Sequence, residues 1–135
     1  MAESYRGRSI AQSMAEAEAL VTRQPISFFG SVDPESGRIT EIGHELYGIS
    51  VSGKILVMPL AKGSTASTWI IARLSENRVA PAAIIVSKAD IILIAGVIIG
   101  QIPTVDDFDF DPTVKFKTGQ ILRVDGEGGT VEVVS

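Results

Sequence analysis

The stretch that decides the fold covers residues 54–77 and is KILVMPLAKGSTASTWIIARLSEN. Its first part, Lys54–Pro59, is a β-branched and apolar run that follows a glycine and ends at a proline, which predicts a buried strand. Its last part, Trp69–Asn77, places apolar residues in successive helical turns and predicts a helix that ends at the asparagine, with Ser67 or Thr68 as N-cap. The stretch therefore predicts a strand, a hydroxyl-rich loop and a helix in direct succession.

Further strands and one more helix are predicted on both sides of this stretch. Residues Ala15–Val21 alternate and are interpreted as a strand, although their Ala, Glu and Leu content also allows a helix. Pro81–Val86 is typical of a buried strand, and Ala89–Gly100 of a short helix whose Gly96 and Gly100 permit close approach to a neighbour. The other predictions are a short exposed strand at Arg38–Ile42, a strand at Ile102–Val105, a surface loop with a short extended piece at Phe108–Phe116, and hairpin strands at Gln120–Val124 and Thr130–Val134. Several strands with two helices between them predict an α/β fold, with helices packed on a mixed sheet in a single domain.

The composition excludes several classes of function. The net charge is −4 with no block of like charges, which argues against nucleic acid as the main partner. The chain has no cysteine and one histidine, His44, which we expect to be a surface or loop-packing residue, so metal chemistry would have to come from another polypeptide. The first ten residues lack the apolar core of a secretory signal, and the apolar stretch Ile91–Ile102 is too short to cross a bilayer. We therefore expect a cytoplasmic protein with neither nucleic acid nor membrane as partner.

The loop between the predicted strand and helix is the strongest candidate for a functional site. It contains Lys62, Gly63, Ser64 and Thr65, directly before a helix N-terminus. Such a terminus presents unpaired N–H groups and a partial positive charge, which suit a phosphate or carboxylate. A serine at this position could also act as a general base if cationic or N–H donors stabilise its alkoxide. The pattern alone leaves a plain helix cap as the alternative, because it matches neither the phosphate-loop nor the dinucleotide-binding motif.

Three weaker candidates lie outside this loop. The pair Phe28 and Phe29 belongs either to the core or to a ligand or partner surface, and Trp69 is expected to be a packing residue. Acidic residues could bind a cation, although acidic loops are usually solvated: Asp33, Asp106, Asp107, Asp109 and Asp111.

Eight short motifs follow one another in a specific order and spacing: EAEALV (16–21), PISF (25–28), VDPESG (32–37), HELYG (44–48), GKILV (53–57), KGST (62–65), APAAII (80–85) and IPTVD (102–106). In this order they resemble the aconitase X family, specifically its small subunits or C-terminal swivel domains. The resemblance covers most of the chain.

This resemblance implies a single swivelling β/β/α-type domain over residues 1–135, like the aconitase C-terminal swivel domain. It also implies the small subunit of an iron-dependent hydro-lyase, a dehydratase that is active only with a large partner subunit in a heterodimer. The partner would hold the iron or iron–sulfur centre, and this chain would bind no metal. Ser64 would be the catalytic proton acceptor, while Lys62, Gly63 and Thr65 would bind a small anionic substrate.

Members of the family dehydrate phosphomevalonate in isoprenoid biosynthesis or cis-3-hydroxy-L-proline. The heteromeric organisation and the Ile-Pro-x-Val-Asp ending resemble the first group. Residues 63–69, GSTASTW, depart from the Gly-Ser-Thr-x-Gly-Ser-Tyr pattern that is frequent in the family, and Ala17 and Ser31 stand where glycine is usual. The alternatives to the phosphomevalonate activity are a hydroxyproline dehydratase subunit, a non-catalytic anion-binding module and a structural subunit.

Overall fold

The computed structural model describes residues 3–62 and 64–135. This part of the chain forms β1 (Glu3–Arg6), β2 (Arg8–Ala11), β3 (Met14–Val21), β4 (Ile26–Ser27), α1 (Phe28–Ser31), β5 (Ile55–Met58), β6 (Ala61–Lys62), α2 (Ala66–Glu76), β7 (Ala83–Val86), α3 (Ile91–Gly100), β8 (Thr104–Asp106), α4 (Pro112–Lys115), β9 (Ile121–Asp125) and β10 (Thr130–Val133).

Eight of the strands form one mixed sheet in the order β1-β10-β9-β3-β5-β7-β8-β2. The neighbours among β3, β5, β7 and β8 pair in parallel, and the other neighbours are antiparallel. The two outermost strands, β1 and β2, are consecutive in the chain and are separated by Gly7, whose N–H donates to the carbonyl of Gly129 at 2.8 Å. One continuous segment thus joins both ends of the strand order, and the sheet closes on itself like a barrel. β4 and β6 form a separate parallel pair.

The central strands are buried on both faces, which explains their unbroken apolar sequence. Because successive side chains of a strand point to opposite faces, Ile55 and Val57 of β5 join one hydrophobic cluster, enclosed by the curled sheet, together with Phe116. Leu56 and Met58 join a second cluster, which includes residues of α2 and α3. The sheet therefore has an enclosed core on one side and a helix-covered core on the other.

Helices α2 and α3 pack closely against each other. A Cβ atom placed on Gly96 of α3 would lie 2.9 Å from the Cβ of Ile71 in α2, and one on Gly100 would lie 3.2 Å from the Cβ of Ser75. The prediction that these two glycines permit close approach is confirmed. In the described part of the chain, no helix is both long and apolar enough to cross a membrane.

Most of the predicted elements are present. The structure confirms the predicted α/β fold and the helix that ends at Asn77. It also confirms the strands predicted near Ala15–Val21, Lys54–Pro59 and Pro81–Val86. The predicted strand at Arg38–Ile42 is wrong, because this segment makes isolated bridges only.

The segment Phe108–Phe116 was expected to be a surface loop with a short extended piece, and this prediction is wrong for the second half of the segment. It contains α4, and the ring of Phe116 is fully buried. Phe108, Phe110 and Tyr5 surround that ring with centroid separations of 5.7–6.4 Å. The alternation of acids and aromatics marks a segment whose aromatic side chains pack against the sheet's enclosed core.

Candidate functional site

The Ser64 loop lies between β6 and α2. The loop follows β5 by a few residues. Strand β6, which directly precedes the loop, pairs with β4, and in this pair Lys62 is opposite Ser27. The side chains of Lys62, Ser64 and Thr65 are exposed, whereas Gly63 lies outside the described residues. The structure therefore places three of the four predicted site residues together at the N-terminus of an eleven-residue helix.

The Ser64 hydroxyl is directed at the start of α2. Its Oγ accepts a hydrogen bond from the N–H of Ala66 at 3.3 Å, and its carbonyl accepts one from the N–H of Ser67 at 3.0 Å. An N–H donor and the positive end of a helix dipole both stabilise negative charge on a neighbouring oxygen. This environment favours a serine that gives up its proton, and it also suits an anion bound beside it.

Ser67 and Thr68 do not cap the helix, which corrects the prediction. The N-cap is Thr65, and α2 begins at Ala66, three residues earlier than predicted. The Ser67 hydroxyl instead accepts the N–H of Phe29 at 3.2 Å, and the Thr68 hydroxyl donates to the carbonyl of Ile92 at 2.9 Å. These hydroxyls tie the first turn of α2 to two distant segments, so they are structural links of the loop rather than local caps.

The pair Phe28 and Phe29 is divided between core and surface. Phe28 is fully buried, whereas Phe29 is 54% exposed. The backbone leaves the helical region at Phe29 and reaches a φ of +88° at Gly30, a conformation that favours glycine. The segment α1 is therefore a tight turn; the core interpretation is confirmed for Phe28, and the ligand or partner surface stays a prediction for Phe29.

Trp69 was expected to pack in the core, and this prediction is wrong. Its side chain is 64% exposed in the first turn of α2. Three other exposed apolar side chains belong to segments that are hydrogen-bonded to the first turn of α2 or directly precede β6: Phe29, Ile91 and Leu60. Exposed apolar groups that cluster beside a polar site are typical of a surface that another molecule covers.

His44 has a structural role. It is buried, its Nδ1 accepts the N–H of Leu46 at 3.0 Å, and its Nε2 donates to the carbonyl of Pro25 at 3.2 Å. It packs within its loop as expected. Across residues 3–62 and 64–135, no three His, Asp or Glu side chains come together in a group that could hold a metal ion.

The acidic residues do not behave alike. The Asp33 carboxylate accepts the N–H of Glu35 at 3.1 Å and the hydroxyl of Ser36 at 2.8 Å, and these bonds lower its pKa. Asp106 is fully buried and pairs with Arg8, so the expectation of a solvated acidic residue is wrong at this position. Both carboxylates stabilise local structure.

Comparison with known proteins places this chain in a family. The family model described as "Aconitase X swivel domain" matches residues 4–133, and the chain belongs to this family. It is 46% identical over 129 residues to the phosphomevalonate dehydratase small subunit of Thermococcus kodakarensis, covering 96% of this chain and 95% of the relative. It is 43% identical over 130 residues to the protein of the same name from Methanosarcina mazei, covering 96% and 90%.

A solved structure agrees with the fold over nearly the whole chain. The crystal structure of Thermococcus kodakaraensis aconitase X in its holo-form superposes with a TM-score of 0.93 at 44% identity, covering 98% of this chain and 99% of the other. The expected swivel-type α/β fold is therefore confirmed.

Proposed function

We propose that this chain is the small subunit of a phosphomevalonate dehydratase, in which Ser64 accepts the substrate proton. The observation that carries the proposal is the Ser64 hydroxyl, which is exposed at the start of α2 and accepts the Ala66 N–H. Support also comes from two relatives with this name, which are 46% and 43% identical to this chain and are aligned with it over nearly their whole length. Their name does not favour the hydroxyproline alternative.

Elimination of water needs a base that removes a proton from carbon and an acid that assists the departing hydroxyl. In this chain, Ser64 is the base. The Ala66 N–H and the helix dipole stabilise its alkoxide before the reaction and hold its Oγ in place during proton transfer. We assign no step at a metal to this chain. We propose that the large partner subunit carries the iron or iron–sulfur centre.

The anionic end of the substrate would bind at the same helix terminus. Lys62 supplies a positive charge at the entrance of the loop, and Thr65 supplies an exposed hydroxyl at the N-cap. Gly63 stands between them in the sequence and completes the binding residues of this proposal. A phosphate held there by charge and N–H donors would keep the reacting carbon close to Ser64.

The large partner would dock over the Ser64 loop. The exposed apolar side chains of Phe29, Leu60, Trp69 and Ile91 belong to the segments around this loop. Covering them would remove apolar surface from water and would also exclude water from the reacting serine. The complete active site would therefore form between two subunits.

Co-expression with the large subunit of the same organism tests this proposal. We expect a heterodimer on size-exclusion chromatography that contains iron and dehydrates phosphomevalonate. In this complex, Ser64→Ala should lower kcat about a thousandfold or more without changing the elution volume. Ser4→Ala, at an exposed position of β1, is the matched control and should retain full turnover.

Two outcomes would contradict the proposal. Turnover that persists in the Ser64→Ala complex would exclude Ser64 as the proton acceptor. A chain that elutes alone, without partner or iron, and still binds phosphate would instead indicate an anion-binding module.

A further inference from the structure

Ser67 carries a buried hydroxyl that the proposed mechanism does not use. Its side chain is 3% exposed in the first turn of α2, three positions after Ser64. The hydroxyl accepts the N–H of Phe29, a residue 38 positions earlier in the chain, at 3.2 Å. Buried hydroxyls of this kind are retained where their hydrogen bond holds two segments together.

The same residue is bonded to Ser64 through its backbone. The Ser67 N–H donates to the Ser64 carbonyl at 3.0 Å. Ser67 therefore contacts the loop of the proposed base on one side and the turn at Phe28–Ser31 on the other.

The turn at Phe28–Ser31 is fixed in position by packing and by hydrogen bonds. The ring of Phe28 is fully buried in the helix-covered core, and the Phe29 carbonyl accepts the hydroxyl of Ser27 at 3.2 Å. Both polar groups of the Phe29 backbone are thus fixed by side-chain hydroxyls, one from Ser27 and one from Ser67. The turn can hold the first turn of α2, and with it Ser64, at a fixed distance from β4.

We propose that Ser67 is a positioning residue for proton transfer by Ser64, an inference that rests on the proposed function. Proton transfer is sensitive to displacements of less than an ångström, because the base must lie within hydrogen-bond reach of the proton it removes. Without the Ser67 hydroxyl, the Phe29 N–H loses its partner and the first turn of α2 is no longer tied to the turn. Substrate binding depends on Lys62 and on the helix N–H groups, which the substitution leaves in place.

The test compares variants of this chain in complex with the large subunit, with phosphomevalonate as substrate. Ser67→Ala should lower kcat about 10- to 100-fold while KM changes less than about threefold. Ser67→Cys keeps the size of the side chain but accepts hydrogen bonds poorly, and it should show a comparable loss of kcat. In the free chain, both variants should accelerate hydrogen exchange of the Phe29 amide about tenfold.

Ser75→Ala is the matched control. Ser75 also lies in α2, and its hydroxyl donates to the carbonyl of Gly100 in α3 at 2.5 Å, near the opposite end of the helix. Removal of the Ser75 hydroxyl should lower the stability of the protein about as much as removal of the Ser67 hydroxyl does, but it should leave kcat unchanged. Equal losses of kcat in the Ser67 and Ser75 variants would mean that helix stability alone is responsible, and would overturn the inference.

The inference and the proposed function fail in different ways. If Ser64→Ala is inactive but Ser67→Ala and Ser67→Cys turn over like the wild type, only the positioning role is wrong. If Ser64→Ala is active, the proposed function is wrong and Ser67 has no base to position.

Discussion

Arg8 and Asp106 form a two-pronged ion pair, in which Nε and Nη2 of the guanidinium each lie 2.8 Å from one carboxylate oxygen. Asp106 is fully buried at the end of β8, and its carboxylate also accepts the N–H of Ala89 at 2.8 Å. The bond to Asp106 raises the pKa of Arg8, which stays charged. Because Arg8 begins β2, the last strand in the sheet order, this pair fastens the segment that closes the sheet.

Asp106→Asn should lower the free energy of unfolding by about 2 kcal/mol, because a buried acceptor of charged hydrogen bonds is replaced by a neutral amide. Urea denaturation of the free chain measures this. Glu16→Gln is the control, since Glu16 pairs with Arg123 while both side chains are nearly half exposed, and it should cost less than about 1 kcal/mol. If the two substitutions lower the free energy of unfolding equally, the ion pair between Arg8 and Asp106 has no special role in stability.

Gly96→Ala should destabilise the protein by about 1–2 kcal/mol despite the better helix propensity of alanine. The new methyl group would lie 2.9 Å from the Cβ of Ile71, an atom that cannot move without a shift of α2. Thermal denaturation should show a lower Tm. An unchanged or higher Tm would mean that the two helices separate at little cost, in which case the propensity gain of about 1 kcal/mol dominates.

Glu45 should make the stability of the fold sensitive to acid. Its carboxylate accepts the hydroxyl of Thr22 and the N–H of Arg23, and these bonds lower its pKa below the ordinary value of 4.5. The stabilisation is therefore complete above that ordinary value and is lost as the pH falls through the lower value of the folded state. The difference in Tm between wild type and Glu45→Gln should be constant near neutral pH and narrow below about pH 4.5.

Thr22→Val supplies the control for this pH dependence. It removes the donor with the largest effect on the pKa of Glu45, so in this background the Tm difference caused by Glu45→Gln should be smaller at neutral pH and its narrowing should be complete at a higher pH. A Tm difference that does not vary with pH would show that Glu45 acts through packing instead.

Lys62→Gln should raise KM for phosphomevalonate about tenfold and leave kcat within about twofold, because the role proposed for the lysine is to attract the anion and not to react. Steady-state kinetics of the complex measures both constants. Lys54→Gln removes a lysine that is paired with Glu18 just before β5, at the opposite end of that strand from the Ser64 loop, and it should change neither constant. A loss of kcat without a change of KM in Lys62→Gln would give the lysine a role in the chemical step.

The location of the candidate site in the fold was predictable because its parts are neighbours in the chain. An apolar run, a small hydroxyl-rich loop and a helical period predict a strand, a site and a helix, and Ser64 lies where this succession places it. The exposure of Trp69 and the burial of Phe116 were not predictable in this way. The same aromatic composition serves a surface or a core, and only the packing of distant strands and helices decides between them.

The outermost strands β1 and β2 were missed as well. Both are short, and β1 carries charged and polar residues at most positions, so neither has the apolar pattern of a buried strand. Their pairing with β10 and β8 joins residues that are far apart in the chain, such as Glu3 with Val133 and Arg8 with Asp106, and no local pattern signals such partners.

The sequence by itself determined the α/β class, the order of most elements, the loop that contains Ser64, and the lack of thiolate ligands. Each of these depends on residue types or on periodicity over a few positions. The tertiary structure alone decided how the sheet closes, which hydroxyls hold the Ser64 loop, and that Asp106 is a buried partner of Arg8. These features depend on contacts between residues that are distant in the sequence: Ser67 and Phe29 are 38 positions apart, and Arg8 and Asp106 are 98 positions apart. Such contacts form only when the whole chain packs, because the free energy that orders the distant segments comes from the shared core rather than from either segment.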